Sequence, residues 1–195
     1  MASLLAALIL LACDSGASDD GSESMTATAE VASNLESSGI AEINAIIAEV
    51  SAGDAGALEA RFQLQDVACT DAPGPGLPPP CRTAGPPGTL VPVFPVVACE
   101  DGWTAEVAPL VGHLLDVAPV LHSVVRLSDD TAGAYEVVYV APFVREPGSV
   151  EVLRLTVEGA AILTFDEGCG PLTPPVELEL PDGTEVILEG PGSAG

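Results

Sequence analysis

Four apolar runs between residues 120 and 166 constrain the fold of this chain more than any other feature. Each run is rich in Val, Leu, Ile and Tyr, and short turn-like segments separate them. Runs of this length and composition predict consecutive strands of an antiparallel meander. The runs are Val120 to Leu127, Tyr135 to Ala141, Val150 to Val157 and Ala160 to Asp166.

Alternation within these runs predicts a sheet with one dry face and one wetter face. In the third run, Leu153, Leu155 and Val157 alternate with Arg154 and Thr156. The first run alternates in the same way, with His122 and Arg126 between Leu121, Val125 and Leu127. We therefore expect His122 on the wetter face.

Helical periodicity appears before the meander. Ile40, Ile43, Ile47 and Val50 recur at helical spacing, which predicts an amphipathic helix over 38–51. Asp54 is a good N-cap for a short second helix. A third helix is expected over 104–117, with its proline in the first turn, where the missing N–H is tolerated.

Prolines shape the remaining strand predictions. A β segment is expected over 63–68, and Val91 to Cys99 is β-branched but contains Pro92 and Pro95, which predicts an edge or bulged strand. The segment Val176 to Glu189 predicts a further hairpin around a Pro-Asp-Gly-Thr turn. Three prolines separate this hairpin from the meander, so we expect it to be an appendage.

Cys13 follows an apolar run from Ser3 to Ala12, which has the length of a signal-peptide core and is too short to span a bilayer. The sequence Leu-Leu-Ala-Cys ending at Cys13 resembles the bacterial lipobox, and a Gly/Ser/Asp-rich tether follows it. The resemblance implies that residues 1–12 are removed and that the Cys13 thiol is diacylglycerol-modified. It places the mature protein in the cell envelope, anchored to a membrane and facing the periplasm or exterior.

The other four cysteines form an even set, as expected for disulfides in an oxidising compartment. They are Cys69, Cys81, Cys99 and Cys169, which allow three connectivities. We favour Cys69 with Cys81, around a loop rich in Gly and Pro, and Cys99 with Cys169. No C-x-x-C or closely spaced histidine pair occurs, so no metal site and no cofactor are expected.

Charge limits the partners. The chain carries 29 acidic residues against five arginines and has no lysine, for a net charge of -24. An acidic surface repels nucleic acid, so nucleic-acid binding is not expected. Without lysine there is neither a Schiff-base nucleophile nor a P-loop, and neither G-x-S-x-G nor G-x-G-x-x-G occurs.

The order helix, short helix, two strands, helix and four meandering strands resembles the nuclear-transport-factor-two-like superfamily. The segment Ala48 to Phe62, "AEVSAGDAGALEARF", is similar to the helix, Gly-Asp break and second helix of that superfamily, and the resemblance covers about 40–166. It implies an α+β fold with N-terminal helices packed on a curved, cone-like antiparallel sheet. The domain expectation is a signal peptide at 1–12, a disordered tether at 13–36, the α+β domain at 37–170 and a C-terminal hairpin extension and tail at 171–195.

Enzymes of that superfamily, such as cyclases and isomerases, place Asp, His or Tyr inside the cone. The candidate pocket residues by that resemblance are Asp116, His122, Tyr135 and Tyr139. No catalytic residue is assigned, and a non-enzymatic binding or interaction module is the favoured function. A cyclase- or isomerase-like enzyme is the alternative, followed by a structural subunit of an envelope complex. The ligand or protein partner is left open.

Overall fold

The four apolar runs form the centre of an eight-stranded sheet in the computed structural model, and this confirms the α+β class. The structure describes residues 37–72, 74–81, 85–97, 102–127, 133–177 and 184–193. The predicted signal peptide, the tether and Cys13 therefore lie outside the described residues.

Three helices and eight strands make up the described chain. The helices are α1 (Ala41–Ala52), α2 (Ala55–Glu59) and α3 (Ala108–Asp116). The strands are β1 (Gln65–Ala68), β2 (Leu90–Val97), β3 (Gly102–Thr104), β4 (Val120–Arg126), β5 (Ala134–Pro142), β6 (Val150–Glu158), β7 (Ala161–Glu167) and β8 (Glu185–Glu189). Strands β4 to β7 pair antiparallel in sequence order, so the predicted meander is confirmed.

The sheet runs in the order β1-β2-β7-β6-β5-β4-β8, with β3 also paired to β2. The prediction of a wholly antiparallel sheet is wrong at one point, because β2 and β7 pair in parallel. Of the two predicted alternatives for β2, an edge or a bulged strand, the edge position is wrong, since β2 lies between β1 and β7. Its prolines are tolerated because β7 pairs with β2 only at Val96 and Val97, beyond both of them.

A bulge in β4 changes the register expected for His122. Leu121 lies opposite Tyr139 and Ser123 lies opposite Val138, so His122 is the extra residue. An extra residue moves every following side chain to the other face. His122 is only 8% exposed, and its expected place on a wet face is wrong. In β6, by contrast, Leu153, Leu155 and Val157 are buried on one face as predicted.

The helix boundaries follow local chemistry. The Asp54 side chain accepts a hydrogen bond from the Ala57 backbone N–H at 3.0 Å, which confirms the predicted N-cap of α2. Gly53 ends α1 with φ of 67°, a left-handed conformation that glycine adopts without strain. Pro109 lies in the first turn of α3, as expected.

Helices and strands share one apolar core. α1 contributes Ile43, Ile46, Ile47 and Val50, and α3 contributes Val111 and Leu114. They pack with the face of the sheet that carries Val137, Tyr139, Leu153, Leu155 and Phe165, which we call the inner face. Burial of each aliphatic side chain contributes roughly 1.5–3 kcal/mol.

The expectation that the C-terminal hairpin is an appendage is wrong for its second arm, because β8 joins the main sheet. β8 pairs antiparallel with β4, and the chain then turns back over β4 at Gly190. The Gly190 N–H donates to the His122 carbonyl at 2.7 Å, and a Cβ on Gly190 would lie 2.2 Å from the Leu121 carbonyl oxygen. Residues 178–183, which include most of the first arm of the hairpin and most of its turn, lie outside the described residues.

The predicted bridge between Cys69 and Cys81 is present, with a Cα–Cα distance of 4.8 Å. Trp103 of β3 anchors the bridged loop, because its indole N–H donates to the Leu77 carbonyl at 2.9 Å. The other expected bridge, between Cys99 and Cys169, depends on Cys99, which lies outside the described residues.

Removal of this bridge by Cys69→Ala with Cys81→Ala should lower the free energy of unfolding by about 3 kcal/mol, the loop-closure value for a loop of this size. Urea denaturation monitored by Trp103 fluorescence measures the change. Thr70→Ala, which alters a side chain in the same loop and keeps the bridge, is the control. Equal midpoints for the double variant and the unaltered protein would contradict the prediction.

Candidate functional site

Three ionisable residues from three elements meet at one end of the inner face. They are His113 of α3, Glu151 of β6 and Glu167 of β7, and one ligand atom of each lies within 4.8 Å of the others. We call them the His-Glu-Glu cluster. Among the described residues, this is the only group of three or more His, Cys, Asp or Glu side chains placed closely enough to hold a metal ion.

Sheet register explains why the two carboxylates converge. Glu151 is the second residue of β6, and it lies opposite Ala141 of β5. Glu167 is the last residue of β7 and lies opposite Leu153, two residues along β6 from Glu151. Since side chains two residues apart on a strand share a face, both carboxylates project from the inner face at the same end.

His113 reaches the carboxylates from above the sheet. Its neighbours Val111 and Leu114 are fully buried and fix the turn of α3 that carries it. The His113 side chain is 36% exposed, yet its Nε2 atom is buried and has no hydrogen-bond partner. Nε2 lies 3.6 Å from Glu167 Oε1, which is too long for a hydrogen bond.

Glu151 is the most deeply buried member of the His-Glu-Glu cluster, with 4% of the residue exposed. Desolvation raises the pKa of its carboxyl group above the ordinary value, and the nearby Glu167 carboxylate adds to the rise. The charge of His113 acts in the opposite direction. In the part of the chain that the structure describes, no arginine forms an ion pair with Glu151 or Glu167.

The donor set defines what this cluster can bind. It offers one imidazole nitrogen and two carboxylates, all of which accept a cation or exchange a proton. With both carboxylates ionised and His113 neutral, the cluster has an excess of negative charge that no described arginine balances. A cationic ligand, a metal ion or a bound proton would supply the missing charge.

The four pocket residues expected from the family resemblance lie on α3, β4 and β5. Asp116 is exposed at the end of α3, and His122 lies in the β4 bulge with Nδ1 3.2 Å from Ser123 Oγ. Tyr135 and Tyr139 belong to the inner face of β5. Among the described residues, no hydrogen bond or ion pair joins any two of these four side chains.

Tyr139 has an unusual environment for a tyrosine. It is 1% exposed, and its hydroxyl group has no hydrogen-bond partner within the described part of the chain. Burial therefore raises its pKa well above the ordinary value of 10.0. Tyr139 lies opposite Leu153, which in turn lies opposite Glu167, so its backbone shares a cross-strand row with the cluster.

One sequence signal pointed to the cluster. Glu151 lies an even number of residues from Leu153, Leu155 and Val157 in the same predicted strand. Its carboxylate therefore belongs to the apolar face of that strand. A charged residue in that position is costly unless something compensates it. No comparable signal marked His113 or Glu167, whose approach to Glu151 depends on tertiary structure.

Comparison with known proteins adds no assignment. No family model, no curated protein and no solved structure matches this chain. None of the helices within the described ranges is long and apolar enough to span a bilayer.

The raised pKa of Glu151 predicts a specific pH dependence of stability. Between the ordinary carboxyl pKa of 4.5 and the raised value, the native state binds more protons than the unfolded state. The contribution of Glu151 is therefore fully present below the ordinary pKa and is lost as the pH rises through the raised pKa. Glu151→Gln should remove this loss and raise stability above neutral pH by roughly 1 kcal/mol, the usual scale for a polar group buried without a partner.

Urea denaturation across the pH range, with a chelator present, gives the stability profile of each protein. The matched control is Glu158→Gln, which changes an exposed carboxylate of the same strand. Only the Glu151→Gln profile should diverge from the unaltered protein with rising pH. Parallel profiles for all three proteins would contradict the prediction.

Proposed function

We propose that this protein is a lipid-anchored binding module of the cell envelope and that it binds its ligand through the His-Glu-Glu cluster. The observation that carries the binding role is His113 Nε2, a buried atom without a hydrogen-bond partner that lies in one cluster with Glu151, a residue only 4% exposed. A buried polar atom without a partner destabilises a fold. Its presence is understandable if a ligand supplies the partner.

The lipobox-like sequence that ends at Cys13 supports the proposed location. A signal-peptide-like apolar run precedes it, and a polar tether from Asp14 follows. The tether would place the folded domain outside the membrane while the lipid on Cys13 holds it there. The strongly acidic composition is compatible with a neutral or cationic ligand and opposes nucleic acid.

A cone-like shape of the nuclear-transport-factor-two-like kind is part of the proposal. The element order of two helices, three strands, a helix and a four-stranded meander supports the resemblance, from which it differs by the short additional strand β3. Register shifts in β4 and between β6 and β7 support curvature, because bulges bend and twist the strands that contain them. In such a cone, the inner face carrying the His-Glu-Glu cluster would line the concave side.

A cyclase- or isomerase-like enzyme is the second candidate. Glu151 favours it, because a carboxyl group with a raised pKa near a histidine can exchange protons with a substrate. Among the described residues, no hydrogen bond or ion pair joins Asp116, His122 and the two tyrosines to one another. The acid-base group of this enzyme would be the His-Glu-Glu cluster instead.

Lipid anchoring predicts that Cys13 becomes the first residue and carries a lipid. Intact-mass spectrometry of protein expressed in a bacterial host should show loss of residues 1–12 and the added mass of the acyl chains. Cys13→Ala should abolish this modification and release the protein from the membrane fraction. Cys169→Ala is the cysteine control and should remain lipidated. A mass that still includes residues 1–12 would overturn the proposed location.

The binding role predicts that a ligand stabilises the unaltered protein and fails to stabilise Glu151→Gln. A thermal-shift screen of small cations and cationic or neutral metabolites measures this, with Glu158→Gln as the matched control. Stabilisation that persists in Glu151→Gln would contradict a role for the His-Glu-Glu cluster.

A further inference from the structure

We propose that the His-Glu-Glu cluster binds a divalent first-row transition-metal ion, with His113 Nε2 and one carboxylate oxygen each from Glu151 and Glu167 as ligands. This inference rests on the proposed binding role of the cluster and names its ligand. Zinc is the test ion, because its ligands in proteins are imidazole nitrogen, thiolate and carboxylate oxygen.

The distances are close to those of a three-ligand metal site. Two ligands about 2.1 Å from a tetrahedral metal ion are separated by about 3.4 Å. His113 Nε2 and Glu167 Oε1 are already 3.6 Å apart, and all three ligand atoms lie within 4.8 Å of one another. The widest separation in the cluster is therefore at most 4.8 Å, and binding of an ion would draw the three ligand atoms closer together.

The environments of His113 and Glu151 each favour a ligand between them. His113 Nε2 is buried and makes no hydrogen bond, although the rest of the side chain is partly exposed. Glu151 is only 4% exposed as a residue, and its carboxylate has no hydrogen bond or ion pair with a described residue. Buried polar atoms almost always have partners, so His113 Nε2 calls for one, and Glu151 is the most buried carboxylate beside it.

Charge favours a divalent ion over a proton or a monovalent cation. Two carboxylates carry a charge of about −2 when ionised, and a divalent cation balances them with neutral His113 as the third ligand. The imidazole nitrogen favours zinc and its first-row neighbours over magnesium and calcium, which prefer oxygen ligands alone. Three protein ligands leave a tetrahedral ion with one open position.

The rival interpretation is a simple ion pair between protonated His113 and Glu167. The 3.6 Å separation is compatible with such a pair. It gives Glu151 no direct partner, however, and it predicts no metal affinity. The two interpretations therefore differ in a property that can be measured.

The test uses the full chain in detergent, expressed without a polyhistidine tag, freed of metal by a chelator and alkylated at any accessible thiol. Zinc binding is measured by competition with a chromophoric chelator. The chain contains only two histidines, His113 and His122, so NMR signals of the imidazole nitrogens identify which one binds. The matched variants are Glu151→Gln, Glu167→Gln and the control Glu158→Gln.

We expect one zinc ion per chain, a shift of the His113 ring signals alone, and a fall in affinity of at least about 10-fold for Glu151→Gln and Glu167→Gln. Glu158→Gln should bind as the unaltered protein does. Circular dichroism and the urea midpoint establish that each variant is folded. Absence of zinc, cobalt and manganese binding, or binding that is equal in all variants, overturns the metal site.

The outcome also separates this inference from the proposed function. If no metal binds but another compound stabilises the unaltered protein and not Glu151→Gln, the metal inference fails and the binding module stands. If no metal ion and no other compound shows binding that depends on Glu151, both the metal inference and the proposed binding module fail. Loss of the lipid anchor in Cys13→Ala should leave zinc affinity unchanged, because the anchor and the cluster are separate features.

Discussion

The aliphatic inner face of the sheet is the constraint on which the rest of the structure depends. Leu153, Leu155 and Val157 alternate along β6, and their burial requires cover from outside the sheet. α1 and α3 supply that cover with their own buried aliphatic stripes. β8 lies at another part of the sheet and adds Leu188 to this core. No described residue of the disulfide loop belongs to the core.

The His-Glu-Glu cluster is the part of this arrangement that apolar packing alone does not explain. α3 places His113 at the margin of the apolar layer, over the ends of β6 and β7 where Glu151 and Glu167 project inward. An apolar residue at position 151 would stabilise the fold more, because removing a charged group from water at this position costs free energy. The proposed ligand site would explain why a carboxylate occupies this position and why the buried His113 Nε2 atom has no hydrogen-bond partner.

Local signals predicted the elements well because their physical causes are local. The Asp54 cap, the left-handed Gly53 and the alternation in β6 each involve only neighbouring residues. Predictions failed where a partner elsewhere in the chain decided the outcome. The bulge at His122 is defined by the pairing of β4 with β5, and the internal position of β2 is defined by its short parallel contact with β7. Neither partner is visible in the segment itself.

The sequence by itself determined the α+β class, the meander and the first disulfide, because hydrophobic periodicity, turn chemistry and cysteine spacing act over short stretches of chain. It also supplied the lipobox-like motif from which the envelope location is proposed. Tertiary structure alone decided the candidate site. His113, Glu151 and Glu167 belong to separate elements, and only the antiparallel pairing of β6 with β7 and the packing of α3 over their ends bring their ligand atoms within 4.8 Å. Sequence motifs for metal sites specify the spacing of ligands within one segment of the chain. They cannot detect a site whose ligands come from separate elements that strand register and helix packing bring together.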